Sequence, residues 1–151
     1  MIYAPASVRR LLLVLVLVPL AVAACGGGVS DDGGGQRGAA FAPICQMGAL
    51  AGDTGLPADF PSIDQITYVT SEQAGPSRIV EGYGEGDLED LYEDLHDAFE
   101  SSVYAITFDE REQYDAEISF DGGGVSGQVK FAAECGSGDR VYVRVTSRPT
   151  G

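Results

Sequence analysis

Apolar side chains fall on every second position through most of the C-terminal third of the chain. Tyr114, Ala116, Ile118 and Phe120 alternate with Asp115, Glu117 and Ser119. Val125, Gly127, Val129, Phe131, Ala133 and Cys135 alternate with Ser126, Gln128, Lys130 and Glu134. Val141, Val143 and Val145 alternate with Arg140, Tyr142, Arg144 and Thr146. A period of two is the mark of a strand with one face covered and one face wet. The connections at Gly122-Gly123-Gly124 and Gly136-Ser137-Gly138-Asp139 are turn chemistry. Val103–Phe108 reads as a further strand, so four strands are expected to follow one another as a meander. Upstream, Ile66–Ser71 and Arg78–Tyr83 are rich in β-branched and aromatic residues, and the Gly75-Pro76 turn between them makes a hairpin.

Between hairpin and meander the period changes. Leu88, Leu91, Tyr92, Leu95, Phe99 and Ser102 fall within an arc of roughly 100° at a helical 100° per residue. Asp87 is placed to cap this helix, with Asp90 three residues on. Its other side carries Glu89, Asp90, Glu93, Asp94, Asp97 and Glu100. Acids four apart repel by a few tenths of a kcal/mol per pair. No cation on the helix offsets them, so the helix must gain its stability by docking. The expected fold class is α+β: an antiparallel sheet of about six strands with one amphipathic helix packed on one face.

The entry to this body, Leu56-Pro57-Ala58-Asp59-Phe60-Pro61, has two prolines that forbid regular helix and favour an extended path. Leu56 and Phe60 are its packing residues. The hexapeptide resembles the Leu-Pro-x-Asp-Phe-Pro entry of small exported bacterial domains of uncharacterised function, and it implies a β-rich body and no particular activity. Before it, Pro43–Leu50 has room for a helical turn or two.

The N-terminus is of another kind. Arg9 and Arg10 precede an apolar run that ends in Val22-Ala23-Ala24-Cys25. The run is shorter than the roughly 20 residues a membrane span needs, and its three-part layout is that of an export signal. Val22-Ala23-Ala24-Cys25 resembles the lipobox of bacterial lipoproteins. The resemblance implies a lipid on the Cys25 sulfur, cleavage before it, and anchorage on the extracytoplasmic face of the cell membrane. Gly26 rather than Asp at the next position would allow onward transport to an outer membrane in a two-membrane organism. The expected division is a signal peptide over 1–24, the acylated cysteine and a Gly-rich flexible tether over 25–42, and one domain over 43–149.

Export changes the reading of the cysteines. With Cys25 lipidated, Cys45 and Cys135 remain, and an even remainder in an exported chain is expected to form a disulfide. Cys135 lies on the inward phase of its strand. The bond is therefore expected to pin the entry segment against the helix-covered face.

Charge narrows the partners. Of 23 acidic and nine basic residues, only Arg9 and Arg10 leave with the signal, taking the net charge from −14 to −16. Such a surface repels nucleic acid and anionic headgroups. The membrane is expected to be reached through the lipid alone, and the partner to be a protein or small ligand, of cationic character if charge selects it.

Chemistry is sparse. Gly82-x-Gly84-x-Gly86 lies between a strand and the helix, where a phosphate loop would sit. Its spacing differs from Gly-x-Gly-x-x-Gly, and Glu85 and Asp87 would repel a phosphate; it reads as a flexible strand-to-helix turn. His96 is the one histidine, at the margin of the apolar stripe with no positioned serine. The helix carboxylates are hard oxygen ligands for calcium, but side chains diverge around a straight helix. No catalytic, cofactor or metal residues are assigned. Three readings stay open: a lipid-anchored, non-enzymatic binding domain, a small inhibitor or accessory subunit of an envelope enzyme, and a hydrolase whose residues are not recognisable.

Overall fold

The computed structural model describes residues 42–133, 135 and 139–151. The expected signal, Cys25, nearly all of the expected tether and most of the expected turn at Gly136–Asp139 lie outside the described residues. Those within form α1 (Ala42–Gln46), β1 (Ile66–Ala74), β2 (Ser77–Glu85), α2 (Leu88–Glu100), β3 (Ala105–Arg111), β4 (Asp115–Gly122), β5 (Val125–Ala132) and β6 (Arg140–Pro149). The strands make one sheet in the order β1-β2-β6-β5-β4-β3, every neighbouring pair antiparallel. The α+β architecture and the hairpin–helix–meander order are those expected from the alternation. β2 and β3 run parallel with three strands between them, so the chain needs a long crossover to join them, and α2 is that crossover.

Turn chemistry sets the register of two of the hairpins, β1–β2 and β4–β5. Gly75 has φ +59° and is followed by Pro76, which cannot take a positive φ. The β1–β2 turn is therefore of the II′ kind. Gly123 and Gly124 both have positive φ, +56° and +78°, which is the I′ arrangement. A side chain at Gly123 would also strike the Tyr104 ring.

The main core lies between α2 and one sheet face. Leu91, Leu95 and Phe99 pack with Val80, Ile118, Val129, Val143 and Val145, all essentially without solvent contact. At one end Phe60, Phe99, Tyr104 and Phe120 form an aromatic cluster with ring centroids 5.3–6.1 Å apart, mostly edge to face. Phe60 and Leu56 thus pack as expected. Asp87 caps α2, its Oδ1 accepting from the Asp90 N–H at 2.9 Å.

Two bulges shift the side-chain phase on the edge strands. Val69 is the extra residue in β1 and Thr107 in β3. Beyond Thr107 the phase inverts, so Phe108 pairs with Ser119 on the face away from α2 and stays half exposed. Bulges and charges on outer strands are common guards against edge-to-edge pairing.

The disulfide is where the structure departs from expectation. Cys45 and Cys135 are bonded, but on the face opposite α2. There they pack with Val69, Tyr83, Ala132 and Tyr142 in a second, smaller core covered by α1. The reason is that β5 ends at Ala132. Alternation counted from Val129 through Phe131 carries no information past that point, and Ala133 is already exposed. The entry chain then wraps the β1 edge to reach the helix side. Leu50 N–H donates to the Tyr68 carbonyl (2.8 Å), and the Ser71 hydroxyl donates to the Thr54 carbonyl.

Candidate interaction surface

Strand pairing lays the outward residues of the face opposite α2 in rows across the sheet. One row runs Thr70, Glu81, Arg144, Lys130, Glu117, Glu110. The next runs Glu72, Ile79, Thr146, Gln128, Ser119, Phe108. A third, Thr67, Tyr83, Tyr142, Ala132, Asp115, is the one that α1 covers around Tyr83 and Tyr142. A face expected to be wet throughout is therefore closed at one end and open from the Glu81 row onward. Beyond the Ile79 row it holds a shallow depression of about 470 Å³, lined by Ser77, Thr107, Asp121, Gln128, Thr146 and Arg148 among others.

The boundary between the closed and open parts is tied by Tyr142 and Arg140. The Tyr142 hydroxyl donates to Glu81, and burial together with that carboxylate pushes its pKa up. The Arg140 guanidinium lies 4.1 Å from the Tyr83 ring centroid, donates to the Cys45 carbonyl, and reaches Glu85 at 3.3 Å. On the open rows the polar contacts run from strand to strand. Thr70 donates weakly to Glu81 (3.4 Å), and Lys130 lies 3.7 Å from Asp115. At the outer end Glu110 and Glu117 face each other directly, a like-charge pairing that weakens the contact between β3 and β4.

The helix side is acidic, but its charge is partly answered from the sheet. Arg111 of β3 reaches Glu89 and Glu93, each at 3.0 Å. Its bond to Glu93 leads the influences that raise the guanidinium pKa. The expectation that burial alone steadies this helix omitted that cation, because it comes from another element. Asp90 has no such help, and repulsion from Asp87 heads the causes that raise its pKa.

The residues weighed for chemistry are distributed as follows. Cys25 is outside the described residues, while Cys45 and Cys135 are structural partners. His96 Nδ1 is 3.9 Å from Glu100, and with Asp97 it could bring three ligand atoms within 4.8 Å of one another on one side of α2, both carboxylates solvent-exposed. Gly82, Gly84 and Gly86 do not form a loop. Gly82 and Gly84 are strand residues, a Cβ at Gly82 running into the Thr67 carbonyl and one at Gly84 into the Leu91 side chain 2.6 Å away. They are small so that β1 and α2 can approach. Only Gly86, at φ +123°, makes the turn, donating its N–H to the Asp139 carbonyl at 2.8 Å.

The β3 edge was not singled out by the sequence reading. Its signal was present: after Phe108 the alternation breaks into Asp109-Glu110-Arg111-Glu112, which no buried strand would tolerate. No family model, curated protein or solved structure matches the chain.

Proposed function

We propose that this protein is a non-enzymatic binding domain, held on the outer side of the cytoplasmic membrane by a lipid on Cys25 and presenting the uncovered part of its sheet to a partner. The observation that carries the reading is the banded open face, closed at one end by α1 and left as paired polar rows at the other. Polar rows spread along a ladder offer a partner an extended recognition surface. The location is supported by the leader and the Val22–Cys25 motif. A disulfide between Cys45 and Cys135 suits an oxidising compartment as well. The Gly-rich stretch after Cys25 would hold a strongly negative domain clear of like-charged headgroups.

The test has two arms. Cys25→Ser should abolish palmitate labelling and release the protein from the membrane fraction; unchanged membrane association removes the anchor. A photo-crosslinking residue at Gln128 or Thr146 should capture one defined partner in the native envelope, and the same probe at Asp97 on α2 should not. Capture from neither open-face position removes the binding face.

A further inference from the structure

The two outer strands of this sheet are not equivalent. The β1 edge is occupied by the entry chain through Leu50 and Thr54. At the β3 edge, no described residue beyond β4 hydrogen-bonds to the strand's backbone. The register shows which groups are free. Glu112 N–H donates to the Asp115 carbonyl at 2.8 Å, and the pairs Glu110–Glu117 and Phe108–Ser119 follow in step. Backbone groups of 108, 110 and 112 thus turn toward β4, and those of Asp109 and Arg111 turn away from the sheet.

What surrounds this edge is also distinctive. Among the described residues four large apolar side chains are exposed, and three of them lie on or beside β3: Val103 (69%), Phe108 (50%) and Tyr114 (52%). Between Asp109 and Glu117 there are five carboxylates and one cation. That cation, Arg111, is already matched by Glu89 and Glu93. Next to the strand, Glu110, Glu112, Asp115 and Glu117 line a hollow of about 130 Å³ with Lys130 at its wall.

We infer that β3 accepts an extended, cationic segment of a partner protein as a seventh strand, an inference that rests on the binding-domain reading above. The backbone of the segment pairs with the outward groups of Asp109 and Arg111. On the open face it sets an apolar side chain beside Phe108. Two residues along, on the same face, a lysine or arginine lies beside Glu110 and enters the carboxylate-lined hollow. Charge decides among occupants. A second copy would bring its own Asp109, Glu110 and Glu112 against these. The Gly-rich segment after Cys25 carries Asp31 and Asp32 against one Arg37, so it too would bring acid against acid. The same charges that prevent self-pairing select a basic strand.

The experiment uses the full chain and a short synthetic peptide with valine and lysine alternating on one face and threonine on the other. The peptide is expected to slow amide exchange at Asp109 and Arg111 by about tenfold or more, leaving Phe108 and Glu110, already bonded to β4, unchanged. Glu110→Lys is expected to weaken binding by about tenfold and Glu110→Gln by less, while a glutamate-for-lysine peptide does not bind. Equal binding of the glutamate peptide overturns the inference. So does protection elsewhere on the sheet with none at Asp109 and Arg111, or a dimer in which those amides are protected without peptide. If the peptide fails to bind while crosslinks from Gln128 or Thr146 still capture a partner, the strand-addition inference falls and the binding-domain reading stands; if both fail, both fall.

Discussion

The Tyr92 hydroxyl donates a 2.8 Å hydrogen bond to the Asp109 carboxylate, joining the middle of α2 to the outermost strand of the sheet. Arg111, two residues along on the same side of β3, lies 5.6 Å from the Tyr92 ring centroid and pairs with two helix glutamates. Helix and edge strand are thus held by one partly exposed polar cluster. Tyr92→Phe is expected to cost about 1 kcal/mol in urea unfolding, the value of one hydrogen bond to a charged acceptor discounted for solvent. It should also raise amide exchange in β3 more than in β6. Equal effects on the two strands would show that the bond does not hold the edge.

Gly84 tests how closely the helix sits. A Cβ there would come within 2.9 Å of both Leu91 methyl carbons, and Leu91 is almost fully buried. Gly84→Ala is expected to cost about 1–3 kcal/mol as an overpacking change, and Leu91→Ala in the same chain should recover part of it. Additive losses in the double variant would mean the two positions do not touch.

Leu95 has no solvent exposure and lies in the centre of the helix-side core. Leu95→Ala should cost roughly 2–5 kcal/mol. A melting temperature near that of the parent would show the helix to be undocked.

The Cys45–Cys135 bond closes a separation of 90 residues, worth roughly 4–5 kcal/mol at most in the loop-entropy account. Because it belongs to the smaller core, reduction is expected to act locally first. Protease sensitivity should appear between Met47 and Asp53 before the α2 core opens. Intact mass without reductant should be lighter by two hydrogens; equal masses would refute the bond.

Alkaline pH offers a separate readout. Burial pushes the Tyr68 hydroxyl up to about 12 and, with the bond to Asp109, the Tyr92 hydroxyl also up to about 12. Burial with Glu81 raises Tyr142, and burial with Asp59 raises Tyr104. These are acids held neutral by folding, so the unfolded chain loses their protons first. Their contribution is intact below about pH 10, the unfolded value, and is lost as pH rises toward 12. Tyrosinate absorbance from these four should therefore rise together with loss of near-ultraviolet dichroism. Ionisation near pH 10 in a chain that stays folded would contradict this.

Local periodicity was enough for the strands and the helix. The alternation around Ile118 and Val129 and the stripe from Leu88 to Phe99 are properties of neighbouring residues, and each element buries its apolar side wherever it docks. The Asp87 cap and the Gly75 and Gly123 turns were equally local. Where an element ends is a different matter. Nothing in Phe131-Ala-Ala-Glu-Cys135 marks Ala132 as the last paired residue, and a shift of one position moves a side chain to the other face. The same arithmetic hid the Thr107 bulge and with it the exposure of Phe108.

The sequence by itself determined the charge and the order of elements, because each is written in consecutive residues. Only the tertiary structure decided the side on which Cys45 meets Cys135, the Arg111 contacts to Glu89 and Glu93, and which sheet edge the entry chain occupies. Those outcomes depend on strand order and on where pairing stops, and both are set by contacts between residues far apart in the chain.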